Sequence, residues 1–488
     1  MARKVKKKKA VARATRRPVP NRRRHWAVRT ALSSSAFVGG LFVFLVLINL
    51  YDPDVDPAAL AALRIAPATI PEADNAYYAQ IGLGVAASES PHRYGVRAMA
   101  ARHAWGEMHP GIPESRSEEI TALDKENETL RWKGNIKFSC AEPRTDCLSV
   151  YAKYRTDIQQ LRRDNRVRLA RYRALYRYAG FQEVPTNVFL GGPASSPYNE
   201  RNVTLALIAL TAIDGDPAGA VHALAVDSAY WRRVVAGAQC IITKMIGVAY
   251  LDQNYALLAE ITSRYHGQSD ILAAAQPMAK PLTVAELDWT PAFNGESRML
   301  ASFILNMLAS DKDAREYYKA EHTSFWESAV QALFFKPRAT VNLHCRITAD
   351  LLPIATARAD ALKAVTESAR DSVSDLTGVF SFGMVYNPVG KMLVSIGSDM
   401  APMYAKYVAR AHNLDGRMRL LILQRDLYRR GVATDNVEKY LATTDVSLYD
   451  PYRNQPMRWD ASAHEIWFNG IPRNYEALDP GLRIAVRF

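Results

Sequence analysis

His103, Glu107 and His109, in the run RHAWGEMHP, are residue types suited to one shared metal ion. His103 and Glu107 stand one helical turn apart, the spacing at which an imidazole and a carboxylate converge. Gly106 and Pro110 weaken a helix there and no further ligand is close in sequence, so no metal is expected. Glu286, Asp288 and Glu296 form a second group. Two carboxylates at one cleft can divide general acid and general base roles. Glu286 also has an ordinary use, as the capping-box partner of Thr283 in TVAE. The third group is YNPVGK, Tyr386 to Lys391. Asn387 before proline forms a turn, and Lys391 after Gly390 can meet an anion; otherwise the run is a loop tying a helical body to the C-terminal strands.

Chemistry with a strict local signature is absent. The chain has no Gly-x-Ser-x-Gly elbow, Walker A loop, Gly-x-Gly-x-x-Gly turn, His-Glu-x-x-His or Cys-x-x-Cys. Nucleotide, dinucleotide and zinc-protease functions are thereby disfavoured, and no cofactor is expected. A hydrolase built from distant acids, Glu286 and Glu296 first among them, stays open.

The elements that must carry these residues are mostly helical. Apolar and aromatic residues recur every three or four positions from Leu148 to Ala179, which predicts one long helix stopped by Gly180. Its other faces are rich in arginine, offering a surface to an anionic partner or simply to solvent. Residues 200–265 read as stacked hairpins: Gly215 ends one helix, and Asp216-Pro217 supplies the cap and first residue of the next. Asp227-Ser228 then caps a long helix, AYWRRVVAGAQCIITKMIGVAYL. The helix–GDP–helix unit is reminiscent of tetratricopeptide-type repeats, without a second copy at a fixed period. Pro91 opens an earlier helix, TLRWKGNIKFSC suggests a short hairpin, and further helices are expected at 313–334 and 349–376. Residue 413 or 415, Asn or Asp, caps a helix that Gly431 closes. DPYRNQPMRWD, HEIWFNG and LRIAVRF are three strand-like runs.

What places this body is Thr30 to Tyr51, 22 residues without a side chain charged at neutral pH. As a helix they reach roughly 33 Å, about one bilayer hydrocarbon core. Thirteen Lys/Arg and no acid precede them. That asymmetry predicts a single span with the N-terminus in the cytoplasm and the body outside, Trp26 and Tyr51 serving as interfacial anchors. A cleaved signal peptide would have a shorter apolar region followed by a small-x-small site, and LVLINLYDPDVD offers none. Removing the arm leaves 49 basic against 49 acidic residues, so the formal charge of +13 belongs to the arm alone. Nucleic acid is accordingly not expected at the main body; the arm itself rests on anionic lipid, or docks nucleic acid or a cytoplasmic partner.

With the body outside the cytoplasm, its four cysteines meet an oxidising compartment. Cys140 and Cys147 enclose six residues and make a local bridge. Cys240 and Cys345 are either a second bridge or two separate thiols, Cys240 lying in an apolar helical run.

The stretches YNPVGKMLVSI, HNLDGRMRLLILQRDLYRRG and DPYRNQPMRWD, with WRRVVAGAQCIITKMIGVAYL and FFKPRATVNLH, resemble a group of uncharacterised single-pass envelope proteins of Gram-negative bacteria. The resemblance spans about residues 75 to 470 and implies an inner-membrane, periplasm-facing protein; it carries no mechanism and no catalytic residue. The thirteen-charge arm departs from the shorter basic start usual in that group.

The expected protein is mainly α: a basic arm (1–29), a transmembrane helix (30–51), a stalk (52–90), a periplasmic helical-hairpin body (91–440) and a small antiparallel β cap (441–488). The expected partners are the lipid bilayer and another envelope protein. The leading function is a scaffold or interaction subunit, with an envelope hydrolase using an acidic pair as the alternative.

Overall fold

The computed structural model describes the chain except residues 1–21, 66, 109–116, 139, 141–145, 186–196, 269, 307–332, 378–384, 396–399 and 473–480. It divides into two units, Met1–Tyr51 and Asp52–Phe488. The first contains the helix Arg22–Ile48, of which Arg29–Ile48 is long and apolar enough to cross a membrane. Its end has a local cause: Asn49 turns its amide onto the Leu45 carbonyl at 2.9 Å. Trp26 and Tyr51 are both well exposed.

The second unit is mainly helical with one small sheet, as its periodicity predicts. Pro91–Met108 forms the early helix. The run from Leu148, predicted as one helix, is three: Cys147–Lys153, Arg155–Asp164 and Arg166–Ala174, with a final 3-10 turn at Leu175–Arg177. The break at Asn165 comes from outside the helix. Its side-chain amide accepts from the Lys133 N–H (2.8 Å) and donates to the Lys133 carbonyl (2.9 Å), pairing with that backbone as a strand would. Lys133 therefore belongs to this clasp, and residues 131–138 form no hairpin. Part of the basic face is consumed: Arg168 pairs with Glu200, Arg155 with Asp214, and Arg171 donates to the carbonyls of residues 83, 85, 86 and 89, while Lys153, Arg162, Arg163, Arg166, Arg173 and Arg177 are exposed.

Helices Tyr198–Ile213 and Pro217–Gly237 stand as predicted about Gly215 (φ +101°), with Asp216 accepting from Gly219 N at 2.8 Å. The cap expected at Asp227-Ser228 does not exist, because the helix runs straight through it. Asp227 is instead a buried acceptor for Tyr172 (2.6 Å), Tyr176 (2.7 Å) and Asn254 (2.7 Å). The true break is at 238–240. There Gly237 packs so closely on the Phe181 backbone that no side chain fits, and the next helix, Ile241–Tyr265, begins.

The helix expected at 349–376 is divided between two helices, Pro337–Ala355, which Pro337 opens, and Leu362–Thr377. The helix expected at 313–334 lies almost wholly outside the described residues. The YNPVGK run, expected as a loop, leads into the helix Pro388–Ser395. Met400–Arg430 is one unbroken helix closed by Gly431 (φ +59°), so Asn413 and Asp415 are interior residues rather than caps.

Strands β1 (Arg458–Asp460), β2 (Glu465–Gly470) and β3 (Leu482–Arg487) make one antiparallel sheet in the order β1-β2-β3. Ile466 pairs with Val486 and Phe468 with Ile484, so alternate residues of both strands face the core. The Phe468 ring fills the space a side chain at Gly416 would need, which seats the sheet on the Met400–Arg430 helix.

Segment 52–90, expected as a stalk, is packed into this unit. Ala76, Tyr77, Ala79, Ile81 and Val85 lie in the main core, and Ala59 in a smaller cluster with Ala301, Ile304, Phe335, Val341 and Cys345. An Asp- and Pro-rich composition signals an extended chain but not whether a surface awaits it.

Candidate functional site: a mixed-charge cleft below the C-terminal sheet

The Ile241–Tyr265 helix presents Ala256, Ala259, Glu260, Ser263 and Arg264 on one face, at helical spacing, to a cleft of about 680 Å³. Arg417 of the Met400–Arg430 helix, the β1–β2 turn and β3 form the other walls, and Asp146 and Cys147 close one end. Charges of both signs line it. Arg483 bridges Asp460 (2.8 Å) and Glu465 (3.0 Å) and lies over the Trp467 ring, while Arg417 donates to Asp252 at 2.7 Å.

At the closed end two carboxyls meet the start of the Cys147–Lys153 helix. Asp146 caps it, accepting from Ser149 N (2.9 Å) and Ser149 Oγ (2.6 Å). Glu260 reaches across from its own helix and accepts from Cys147 N and Leu148 N, both at 3.0 Å. Free N–H groups and the positive end of the dipole explain why acids gather there. Loss of water and a hydrogen bond shared with Asp146 push the Glu260 carboxyl up to about 7. The same shared hydrogen bond and the Ser149 hydroxyl hold Asp146 down at about 2. Two neighbouring acids with such divided affinities can hold one proton between them.

The acids singled out in the sequence do not form a pair. Glu286 completes the capping box with Thr283 and takes both its oxygens to Arg232, at 2.6 and 2.7 Å. Glu296, within the helix Thr290–Asn306, accepts from Ile241 N (3.2 Å) and the Cys240 thiol (3.4 Å). Glu183 closes over the same turn, accepting from Gln239 N (2.8 Å) and Thr243 Oγ1 (2.6 Å). Burial pushes Glu183 up to about 7; burial and the two carboxylates push the Cys240 thiol up to about 12. A thiol so placed is a poor nucleophile.

Asn387 is buried with φ +51°; its side chain accepts from Lys336 N (2.9 Å) and Gly390 N (3.2 Å) and donates to Thr340 (2.9 Å). It ties the Pro388–Ser395 helix to the Pro337–Ala355 helix, not to the strand cap. Lys391 is half-buried, and burial lowers its ammonium pKa. Cys140 and Cys147 are bridged, Cα to Cα 5.4 Å, whereas Cys240 and Cys345 are free thiols, so the second bridge does not exist. His103 and Glu107 share the Pro91–Met108 helix; His109 lies outside the described residues, among which no group of three ligands suits a metal.

Sequence reasoning missed Glu260 and Asp146. The one available signal was Asp146 as a cap ahead of the Cys147 helix; Glu260 lies 113 residues away from its amide partner. No protein family, curated protein or solved structure matches the chain.

Proposed function

We propose that this chain is a single-pass, membrane-anchored scaffold of the bacterial envelope, with its N-terminus in the cytoplasm and its body in the periplasm. In this reading it belongs to the group of envelope proteins it resembles, and the cleft between the Ile241–Tyr265 helix and the sheet docks a protein or polymer partner carrying both charges. The observation that supports it is the state of the acids. Glu286 is neutralised by Arg232, and Glu296 is spent on the Ile241 amide and the Cys240 thiol, so the two acids the sequence singles out are committed to holding the fold. The thirteen basic residues before an apolar helix and a bridged cysteine pair support the placement.

One observation favours the hydrolase as second reading, and it moves that reading to a new pair. Glu260 and Asp146 meet at the start of the Cys147–Lys153 helix, and their proton affinities divide, about 7 against about 2, as those of a general acid beside an ionised partner do.

The test uses the full chain in intact cells, with a photoactivatable crosslinker at Ser263 in the cleft or at exposed Val284 as control. A scaffold gives a defined adduct from Ser263 only. Equal labelling from both positions, or none from Ser263, overturns the docking reading. Cell-wall or lipid cleavage by the purified protein that disappears in Glu260→Gln establishes the hydrolase instead. A reporter after Phe488 active only in the cytosol, or a mature chain beginning beyond Tyr51, overturns the placement.

A further inference from the structure

The Asp52–Asp56 segment is locked onto the first two turns of the Pro337–Ala355 helix. Asp52 accepts from the backbone amides of Arg338 (3.3 Å) and Ala339 (3.0 Å). Asp54 pairs with Arg338 at 2.9 Å and its carbonyl accepts from the Asn342 side chain at 3.0 Å, while the Asp56 amide donates to the same side chain at 2.8 Å. Asn387 binds Lys336 and Thr340 on that same end. Two short helices, Pro57–Ala62 and Pro388–Ser395, are thereby fixed beside one helix terminus.

Their inner sides fill a small apolar cluster: Ala59, Leu63 and Leu393 pack with Ala301, Phe335 and Val341. Their outer sides are apolar as well. Leu60 is 50% exposed, Ile65 43%, Val389 40% and Met392 58%. PAALAA carries no polar side chain at all, and PVGKMLVS carries a single charge. A short helix that is apolar all round has no water-facing side and belongs in apolar surroundings. Exposed Arg64 lies between Leu60 and Ile65, where a lipid phosphate can meet it.

What covers this face follows from where the chain enters. Resting on the reading of residues 30–51 as a membrane span, the bilayer delivers Tyr51 and then, one peptide later, Asp52. Asp52 is bonded to residues 338 and 339, so the chain passes from residue 51 to that helix end with no intervening segment. Interfacial helices bury their apolar side about 5–10 Å into the headgroup and acyl boundary. We propose that Leu60, Ile65, Val389 and Met392 form a second membrane contact, an interfacial face that takes phospholipid acyl chains.

The test places the full-length protein in vesicles of phosphatidylethanolamine and phosphatidylglycerol doped with a phospholipid whose acyl chain carries a photoactivatable diazirine, followed by peptide mapping. The expected result is lipid adducts on peptides containing 57–65 and 388–395, in addition to those on 30–51. The doubly substituted L60Q/M392Q protein loses the first two sets several-fold, as expected when aliphatic side chains leave an apolar phase. Its thermal unfolding stays unchanged, since both side chains are exposed. Adducts confined to 30–51 overturn the inference and leave the span intact. Absence of adducts on 30–51 overturns the span itself.

Discussion

Asn413, in the middle of a 31-residue helix, holds both backbone polar groups of Ile471. Its amide donates to the Ile471 carbonyl at 2.9 Å, and its oxygen accepts from the Ile471 N–H at 3.1 Å and from the Tyr452 hydroxyl at 2.7 Å. One side chain thus docks the chain leaving β2 onto the core helix. Replacing it by alanine leaves two buried backbone groups without partners. Asn413→Ala is expected to lower unfolding stability by about 3 kcal/mol, read from denaturant unfolding followed by tryptophan fluorescence, with Trp459 and Trp467 reporting the sheet. A loss within experimental scatter would mean that the sheet is held by Phe468 and its neighbours alone.

Arg232 and Glu286 form a bidentate pair with side chains only 18% and 5% exposed. Removing one partner strands a buried charge. Glu286→Ala should cost about 3 kcal/mol, and the double change to Arg232→Met with Glu286→Leu should recover most of it. If Glu286 were a catalytic acid with spare capacity, its removal would leave the unfolding midpoint in place.

Glu260 and Asp146 make stability depend on pH in opposite directions. Glu260 titrates near 4.5 in the unfolded chain and about 7 in the fold. Between those values the folded protein keeps a proton the unfolded chain releases, so stability falls as pH rises through that window. Asp146, at 3.8 unfolded and about 2 folded, adds stability as pH rises from about 2 to 3.8. Glu260→Gln should flatten the decline between pH 4.5 and 7 relative to wild type. Glu183, which also titrates near 7, is common to both proteins and cancels in that difference. Parallel pH profiles for the two proteins would show that Glu260 is ionised throughout.

The bridge between Cys140 and Cys147 closes a short loop, worth about 2.5 kcal/mol by chain entropy. Cys140→Ser with Cys147→Ser should lower the midpoint accordingly. Mass spectrometry provides the count: denatured but unreduced protein should take up two alkyl groups, at Cys240 and Cys345, and reduced protein four. No alkylation before reduction would place a second bridge between Cys240 and Cys345.

Features that depend on neighbours along the chain are legible before any fold is known. The apolar helix behind a basic arm, the Gly215–Asp216–Pro217 turn, the Thr283–Glu286 capping box, the close at Gly431 and the three strands all use contacts a few residues apart, and each is found where its pattern predicts. Tertiary structure alone decided what polar residues inside apolar runs are for. Asn165, Asp227, Asn413 and Asp415 carry the residue types of helix caps, because a short side chain with an oxygen satisfies a nearby N–H equally well in either role. In the fold they serve Lys133, Tyr172, Ile471 and Leu282, partners 32, 55, 58 and 133 residues distant. The cleft acids share that origin. Glu260 gains its high proton affinity only when the Cys147 helix and Asp146 are brought against it, and a desolvation penalty has no signature in the residue that suffers it.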